Sequence, residues 1–91
     1  MQFESDPKKS AANKAKHGMA LEEAQQLWSA PAVEVQARTM DEERWMLIGP
    51  LHGKCYSCIF TMRQGIIRLI SARRSHPHEE QLYHDKIQAT D

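Results

Sequence analysis

Apolar residues in the first thirty positions recur at helical spacing. Asp6 followed by Pro7 is typical of a helix N-cap and first turn, and Gly18 is typical of a helix end, so a first helix is predicted to run to about His17. A second helix is predicted over about residues 20–29 from four apolar positions at helical spacing. Those positions are Leu21, Ala24, Leu27 and Trp28.

From Val33 onward the hydrophobic period changes to two, which is typical of strands. The predicted strand runs are 33–35, 45–48, 54–62 and 66–73, and residues 2–4 are compatible with a short initial strand. Gly49-Pro50 with Gly53 predicts one chain reversal and Gln64-Gly65 predicts the next. Successive strands joined by such turns form an antiparallel meander.

The C-terminal segment predicts one more helix. It opens at His76-Pro77, presents Leu82, Tyr83 and Ile87 as an apolar stripe, and places Glu79 in its first turn. The predicted fold class is therefore α+β: two N-terminal helices, a four- to five-stranded antiparallel sheet and a C-terminal helix. The chain length of 91 residues predicts one domain over residues 1–91, with helices on one face of the sheet and the other face open.

Composition changes this picture through the distribution of charge. The net charge is zero, yet residues 44–78 carry six basic residues and no acidic one. They are Arg44, Lys54, Arg63, Arg68, Arg73 and Arg74. Because no acid is available nearby in the sequence, these cations are expected to lack carboxylate partners and to form a basic face for a polyanion, with arginine suited to bidentate contacts with phosphate.

The two cysteines and the absence of a long apolar run predict a soluble, cytoplasmic protein with no membrane contact. Cys55 and Cys58 spell a C-x-x-C, but they fall in a predicted strand, where positions three apart point to opposite faces. A buried thiol with a chance neighbour is therefore favoured over a redox or zinc pair.

The register of the last hairpin decides which arginines share a face, since a shift of one residue exchanges the faces. With Gln64-Gly65 as a two-residue turn, Arg63 pairs with Ile66 and Thr61 with Arg68. Thr61, Arg63 and Arg68 then share one face. The opposite, core-facing side would comprise Tyr56, Cys58, Phe60, Met62, Ile67 and Leu69.

A loop of odd length would give the alternative arrangement. Arg63 would lie with Arg73, and Arg68 would be pushed among Phe60 and Met62, where an unpaired guanidinium is costly. The even register is favoured on that ground. Arg73 then joins the site only if the end of its strand twists or bulges.

The chemistry that such a face could serve is phosphodiester cleavage, and an ordered set of residues resembles the BrnT family of bacterial toxins, the ribonucleases of type II toxin–antitoxin pairs. The shared pieces are Phe3-Glu4 with Asp6, Asn13-x-x-Lys16-His17-Gly18, Glu23-Ala24, Glu43-Arg44 with Ile48-Gly49, Thr61-x-Arg63, Arg68-x-Ile70-Ser71-Ala72-Arg73, and Glu79 with Tyr83. The chain departs from the family pattern at Ser5, where tryptophan is usual, and at His76-Pro77-His78, where a basic segment is common.

The resemblance implies a RelE-like fold, metal-independent RNA cleavage and growth arrest. It also implies silencing by a cognate BrnA-type antitoxin of ribbon-helix-helix type, a DNA-binding repressor that would connect the toxin to operator DNA only indirectly. The expected partners are thus RNA and an antitoxin, and no cofactor is expected.

RNA cleavage without a metal needs the ribose 2′-hydroxyl to attack the adjacent phosphate, so a base, an acid and cations are required. Arg63 and Arg73 are the first candidates for phosphate stabilisation, and replacement of either by alanine is expected to abolish cleavage with little change in melting temperature. The candidates for proton transfer are Glu79, His17 and Tyr83, and those for RNA binding are Lys16, Arg44, Arg68 and Arg74.

Simpler interpretations of these residues stay open. His17 could be a helix C-cap, and Tyr83 could be a core residue with a satisfied hydroxyl. A metal site built from His76, His78 and His84 has little support, because no carboxylate pattern accompanies it. The alternative function is a non-catalytic module, including a degenerate toxin, that binds RNA or an antitoxin without cutting.

Overall fold

The structure is a computed structural model that describes residues 1–37 and 42–89. Its helices are α1 (Pro7–His17), α2 (Leu21–Ala24), followed by a 3-10 helix (Gln25–Ser29), and α3 (Pro77–Ala89). Its strands are β1 (Phe3–Glu4), β2 (Val33–Ala37), β3 (Arg44–Leu51), β4 (Lys54–Arg63) and β5 (Ile66–Arg74). The α+β class with helices at both ends of the chain is confirmed.

The five strands form one sheet in the order β1-β5-β4-β3-β2. The strands from β2 to β5 are antiparallel neighbours, as predicted, whereas β1 pairs with β5 in parallel. No hairpin joins β1 to β5, so no turn forces an antiparallel pairing there. In the described ranges, no helix has the length and apolar character needed to cross a membrane.

Helix α1 has the predicted ends. The Asp6 carboxylate accepts a hydrogen bond from the Lys8 backbone N–H at 2.8 Å, and Gly18 ends the helix with a left-handed φ of 77°. The predicted second helix is α-helical only over Leu21–Ala24 and then tightens to a 3-10 helix. Because 3-10 winding brings positions three apart into line, Ala24 and Leu27 point together into the core, where both are fully buried.

The reversal predicted from Gly49-Pro50 with Gly53 is confirmed at Gly53 but is wrong for Gly49 and Pro50. Both residues continue β3, and the chain turns instead at His52-Gly53, where both φ angles are positive. Gly49 is explained by packing: a Cβ at this position would lie 2.8 Å from the Cβ of Ala32. The loop that precedes β2 therefore approaches β3 closely enough to require glycine.

Helices α1 and α2 cover one face of the sheet, here called the core face. Its buried strand residues are Leu47, Leu51, Cys58, Phe60, Ile67, Leu69 and Ala72, and the helical segment contributes Met19, Leu21, Ala24 and Leu27. Trp28 packs edge-on against Phe3 and Phe60, with ring centroids 5.2 and 5.0 Å apart. Met62, predicted to face the core, is 49% exposed because it lies next to the hairpin turn, at the end of its strand.

The prediction that all helices cover the same face is wrong for α3. Ser57 lies in β4 on the face opposite the core face and is buried, and its hydroxyl donates to the Glu79 carboxylate of α3 at 3.0 Å. Helix α3 thus covers one end of the second face, near β2 and β3. The remainder of that face carries Arg63 of β4 and Arg68 and Arg73 of β5, and it is called the arginine face below.

Candidate active site

The hairpin between β4 and β5 has the predicted even register. Arg63 pairs with Ile66 and Thr61 pairs with Arg68. Gln64 and Gly65 have φ angles of 51° and 80°, which is the geometry of the two-residue turns that match strand twist. Arg63 and Arg68 therefore lie on the same face of the sheet.

A β-bulge in β5 brings Arg73 to that face as well. Phe60 pairs with Leu69, but the preceding residue, Ile59, pairs with Ser71, so Ile70 is an extra residue without a partner in β4. One extra residue reverses the alternation of side chains beyond it. Since Arg73 pairs with Ser57 on the arginine face, the bulge resolves the competition between Arg68 and Arg73: both share a face with Arg63.

The three arginines are spread along the face. Arg73 lies opposite Ser57, Arg68 lies opposite Thr61, and Arg63 is two residues beyond Thr61. At the rise of an extended strand, this arrangement covers about 20 Å of β4. The arginine face can therefore contact several groups of an extended polyanion rather than one phosphate.

Contrary to expectation, these arginines have carboxylate partners. Arg68 Nη1 lies 3.3 Å from Glu4 Oε1, and Glu42 lies 3.4 Å from Arg63 Nη2 and 3.5 Å from Arg44 Nη2. The acids come from segments distant from β5 in the sequence, which is why a count over residues 44–78 missed them. Such exposed pairs contribute about 0–1 kcal/mol each, so a phosphate can replace the carboxylate at little cost.

Arg73 and Glu79 form a different kind of pair. Two parallel hydrogen bonds join them, from Nη1 to Oε1 at 2.7 Å and from Nη2 to Oε2 at 2.8 Å, and the Glu79 side chain is only 5% exposed. Glu79 also accepts from the Ser57 hydroxyl at 3.0 Å and from the His76 backbone N–H at 2.9 Å. The carboxylate thus joins β4, β5 and the start of α3.

Electrostatics follow from this geometry. The hydrogen bonds from Arg73, more than the opposing burial, lower the pKa of Glu79 to about 2, and the same contacts raise the pKa of Arg73. A carboxylate held in this way is a poor proton acceptor near neutral pH. The structure also argues against the expectation that Arg73→Ala leaves the melting temperature unchanged, because the variant would strand a buried carboxylate.

Asn13 fixes helix α1 to the edge of β5 next to Arg73. Its side-chain amide donates to the Ala72 carbonyl at 2.8 Å and accepts from the Ala72 N–H at 3.1 Å, as a neighbouring strand would. The same amide nitrogen donates to the Met19 carbonyl at 2.7 Å. The sequence identified Asn13 only as part of the motif Asn13-x-x-Lys16-His17-Gly18 and gave it no role, since the partner of an asparagine side chain near a helix end is set by tertiary structure.

A cleft of about 240 Å³ lies between α1 and β5. It is lined by Lys9, Ala12, Asn13, Lys16, His17, Ile70 and Ser71. Two predicted site residues, the neighbours Lys16 and His17, thus both line this cleft. Because Ser71 pairs with Ile59 on the arginine face, the cleft adjoins that face at the bulge.

Tyr83 is placed as the core interpretation predicted. It is buried, and its hydroxyl donates to the Pro31 carbonyl at 2.7 Å. Burial raises the pKa of Tyr83. Tyr83 therefore connects α3 to the segment that precedes β2.

Arg44 and Arg74, both predicted to bind RNA, have separate positions. Arg44 precedes Trp45, which packs on the core face, so Arg44 lies on the arginine face. Arg74 pairs with Tyr56, and its guanidinium carbon lies 5.8 Å from the centre of the Tyr56 ring. Since Tyr56 packs against the core, Arg74 lies on the other side of the sheet from Arg73.

One group of potential metal ligands is present in the part of the chain that the structure describes. Ligand atoms of His76, His78 and Glu79 lie within 4.8 Å of one another. His84 is not a member of this group, and its Nε2 lies 3.9 Å from Glu80 Oε1. Because Arg73 already holds both oxygens of Glu79, a cation at this position would compete with a guanidinium for the same carboxylate.

The cysteines point to opposite faces, as predicted. Cys58 is fully buried in the core, where burial raises the pKa of its thiol to about 12. Cys55 pairs with Pro50 and accepts a hydrogen bond from the Ser75 hydroxyl at 3.3 Å, and partial burial raises its pKa as well. Neither thiol is poised for nucleophilic chemistry.

A strand pair that presents arginines beside a cationic cleft can bind a polyanion, and comparison with known families identifies the class. The family of BrnT ribonuclease toxins of type II toxin–antitoxin systems matches residues 6–79. The chain therefore belongs to the BrnT family. Membership implies an RNA substrate and an antitoxin protein as partner. No curated protein gives a significant match to the chain.

Proposed function

We propose that this BrnT-family protein is a metal-independent endoribonuclease that cuts RNA by attack of a 2′-hydroxyl on the adjacent phosphate. The single observation that carries the proposal is the bulge at Ile70, which brings Arg73 to the face that Arg63 and Arg68 share, beside the cleft that contains His17. Guanidinium groups stabilise the charge that develops on the phosphate oxygens.

Arg63 and Arg68 bind phosphate by exchanging their present carboxylate partners for it. Their present partners, Glu42 and Glu4, are partly exposed acids at 3.4 and 3.3 Å, and a phosphate that accepts bidentate hydrogen bonds replaces them. In the free protein each of these two guanidiniums is paired with a carboxylate, and substrate binding makes the cations available.

Arg73 contributes with a fixed orientation. Its contacts with Glu79 and with the Arg74 carbonyl engage three of its five N–H groups within the described residues. The remaining two N–H groups of Arg73 point in fixed directions, because Glu79 holds the plane of the guanidinium. Glu79 is accordingly a positioning residue rather than a base.

His17 is the proposed proton acceptor. Glu79 is too acidic and Tyr83 is engaged with Pro31, whereas the His17 imidazole lines the cleft beside Ser71. The 2′-hydroxyl proton passes to an imidazole nitrogen as the 2′-oxygen bonds to phosphorus and the bond to the 5′-oxygen breaks. The leaving 5′-oxygen takes a proton from a second group, for which Lys16 lies on the same cleft, and the products are a 2′,3′-cyclic phosphate and a 5′-hydroxyl.

The direct test is cleavage of a mixed RNA pool by purified protein with and without EDTA. Full activity in EDTA and cyclic-phosphate ends on the products are expected, because no step requires a metal. Arg63→Ala and Arg68→Ala should each reduce cleavage at least tenfold, while Lys86→Ala on α3, which removes the same charge elsewhere, should not. Intact RNA with salt-sensitive binding would instead establish the non-catalytic module, and activity lost to EDTA would overturn the metal-independent mechanism.

In the cell, the proposed consequence is inhibition of translation and growth arrest, relieved by a BrnA-type antitoxin of ribbon-helix-helix type that links the toxin to operator DNA. The exposed arginine face, with its readily exchanged partners, supports such a partner as well as RNA. Expression with and without the antitoxin tests this. Wild type should arrest growth only without the antitoxin, and Arg63→Ala should be harmless in both cases. A growth defect of the variant equal to that of wild type, or arrest by wild type in the presence of the antitoxin, would contradict the assignment.

A further inference from the structure

The cleft between α1 and β5 differs from the arginine face in having cations without carboxylates. Lys9 and Lys16 line it, and within the described ranges no acidic group lies at ion-pair distance from either ammonium. By contrast, Lys14 of the same helix pairs with Glu23 at 3.4 Å. None of the residues that line the cleft is acidic. Lys9 and Lys16 are therefore available to bind an anionic group from outside this chain.

The positions of these cations follow from the helix. Residues 9, 13 and 16 of α1 recur at spacings of three and four, so they share the helix side that faces β5. Asn13, between the two lysines, is bonded to Ala72 and holds this side against the strand. Lys9 and Lys16 are about 10 Å apart along the helix axis, so they can contact different phosphates of one strand.

The other wall of the cleft is the bulge itself. Ile70, the extra residue of β5, and Ser71 line the cleft, and Ser71 also belongs to the arginine face. Arg73 is two residues further along β5, a distance of about 7 Å between Cα atoms. A polyanion that crosses the arginine face reaches the cleft at the bulge without leaving the surface.

We propose that the cleft binds the backbone of the RNA strand next to the nucleotides held at the arginine face, with Lys9 and Lys16 as phosphate contacts. The inference rests on the proposed function for its ligand and extends the RNA path along the cleft that holds His17 and Lys16, adding Lys9 as a residue that no sequence pattern indicated. Continuity with the arginines favours RNA over an acidic segment of a protein, because the repeating charge of a nucleic acid can occupy both surfaces at once.

The test measures binding rather than cleavage. A fluorescent single-stranded 2′-O-methyl RNA lacks the attacking hydroxyl and stays intact, so fluorescence anisotropy gives Kd at several salt concentrations. The double variant Lys9→Ala/Lys16→Ala should bind more weakly and show a slope of log affinity against log salt that is smaller by about 1.4, which is about 0.7 for each lost phosphate contact.

The matched control is Lys8→Ala/Lys86→Ala, which removes two exposed lysines outside the cleft and the same total charge. It should keep the wild-type slope. Alanine is a strong helix former, so both doubles are expected to fold, and equal melting temperatures verify it.

A wild-type slope in Lys9→Ala/Lys16→Ala, or an equal decrease in the control, would overturn the subsite. Unchanged RNA binding with weakened antitoxin binding would assign the cleft to the protein partner instead, which also overturns the proposal. A protein that binds RNA with the expected slopes but never cuts it would remove the ribonuclease mechanism and leave the cleft assignment standing.

Discussion

The contact between Arg73 and Glu79 gives the sharpest prediction, because it belongs both to the fold and to the site. In Arg73→Ala the Glu79 carboxylate stays buried, with the Ser57 hydroxyl and the His76 N–H as its remaining donors. Removing one partner of a buried ion pair costs about 3–5 kcal/mol, and the 24% exposure of the Arg73 side chain places this pair at the lower end. The expected loss at pH 7 is about 3 kcal/mol.

The lowered pKa of Glu79 gives a second value, of the same size, for the stability that this contact contributes. A lowering from 4.5 to about 2 corresponds to about 3 kcal/mol of stability. The folded state has the lower pKa, so this stability is fully present above pH 4.5 and is lost as pH falls toward 2. For a domain of this size, about 3 kcal/mol lowers the melting temperature by about 12–24 °C.

The assay is urea unfolding of wild type and Arg73→Ala at pH 7 and pH 3, followed by fluorescence of Trp28 and Trp45. The free energies of unfolding of the two proteins should differ by about 3 kcal/mol at pH 7. They should differ clearly less at pH 3, where protonation of Glu79 weakens its ion pair with Arg73. Arg63→Ala is the control, because Arg63 is 54% exposed and its pair with Glu42 contributes little, so a change within about 0.5 kcal/mol is expected. A difference below 1 kcal/mol at pH 7, or one that does not depend on pH, would refute the reasoning.

Three further predictions concern residues around the site and the core. Asn13→Ala should lower the free energy of unfolding by about 2 kcal/mol in urea titrations, because it leaves the N–H and C=O of Ala72 without partners. Asn13→Asp should destabilise at least as much, because a buried carboxylate oxygen would face the Met19 and Ala72 carbonyls to which the amide now donates. Gly49→Ala should destabilise by about 1–3 kcal/mol through its contact with Ala32, and an unchanged melting temperature would contradict the packing described. His17→Ala should slow RNA cleavage about 100-fold or more at an unchanged melting temperature, and wild-type rates would exclude His17 as the base.

The sequence alone predicted the local structure well where the cause is local. Asp6 and Gly18 mark the two ends of α1, because capping depends on neighbouring backbone groups. Gln64-Gly65 fixed the hairpin register, because a two-residue turn has few geometries. The resemblance to the BrnT family was also visible in the order of short motifs, and the family match confirms it.

The arrangement of the candidate site was decided by tertiary structure. Hydrophobic alternation required Arg68 to point away from the core, but nothing in the sequence marked Ile70 as the extra residue that turns Arg73 to the same side. A bulge depends on how the strand fits its neighbours, in this case β4 on one edge and Asn13 on the other. From the sequence it followed only that Arg73 would join the face if its strand twisted or bulged, and the bulge at Ile70 fulfils that condition.

The charge balance shows the same limit. A stretch without acids predicted unpaired arginines, yet Glu4, Glu42 and Glu79 reach them from three different parts of the chain. Charges interact through space, so a local count cannot find partners that folding brings together. The sequence therefore determined which residues could bind phosphate, and the tertiary structure decided which of them are held, which can be exchanged, and which cations in the cleft have no acidic partner among the described residues.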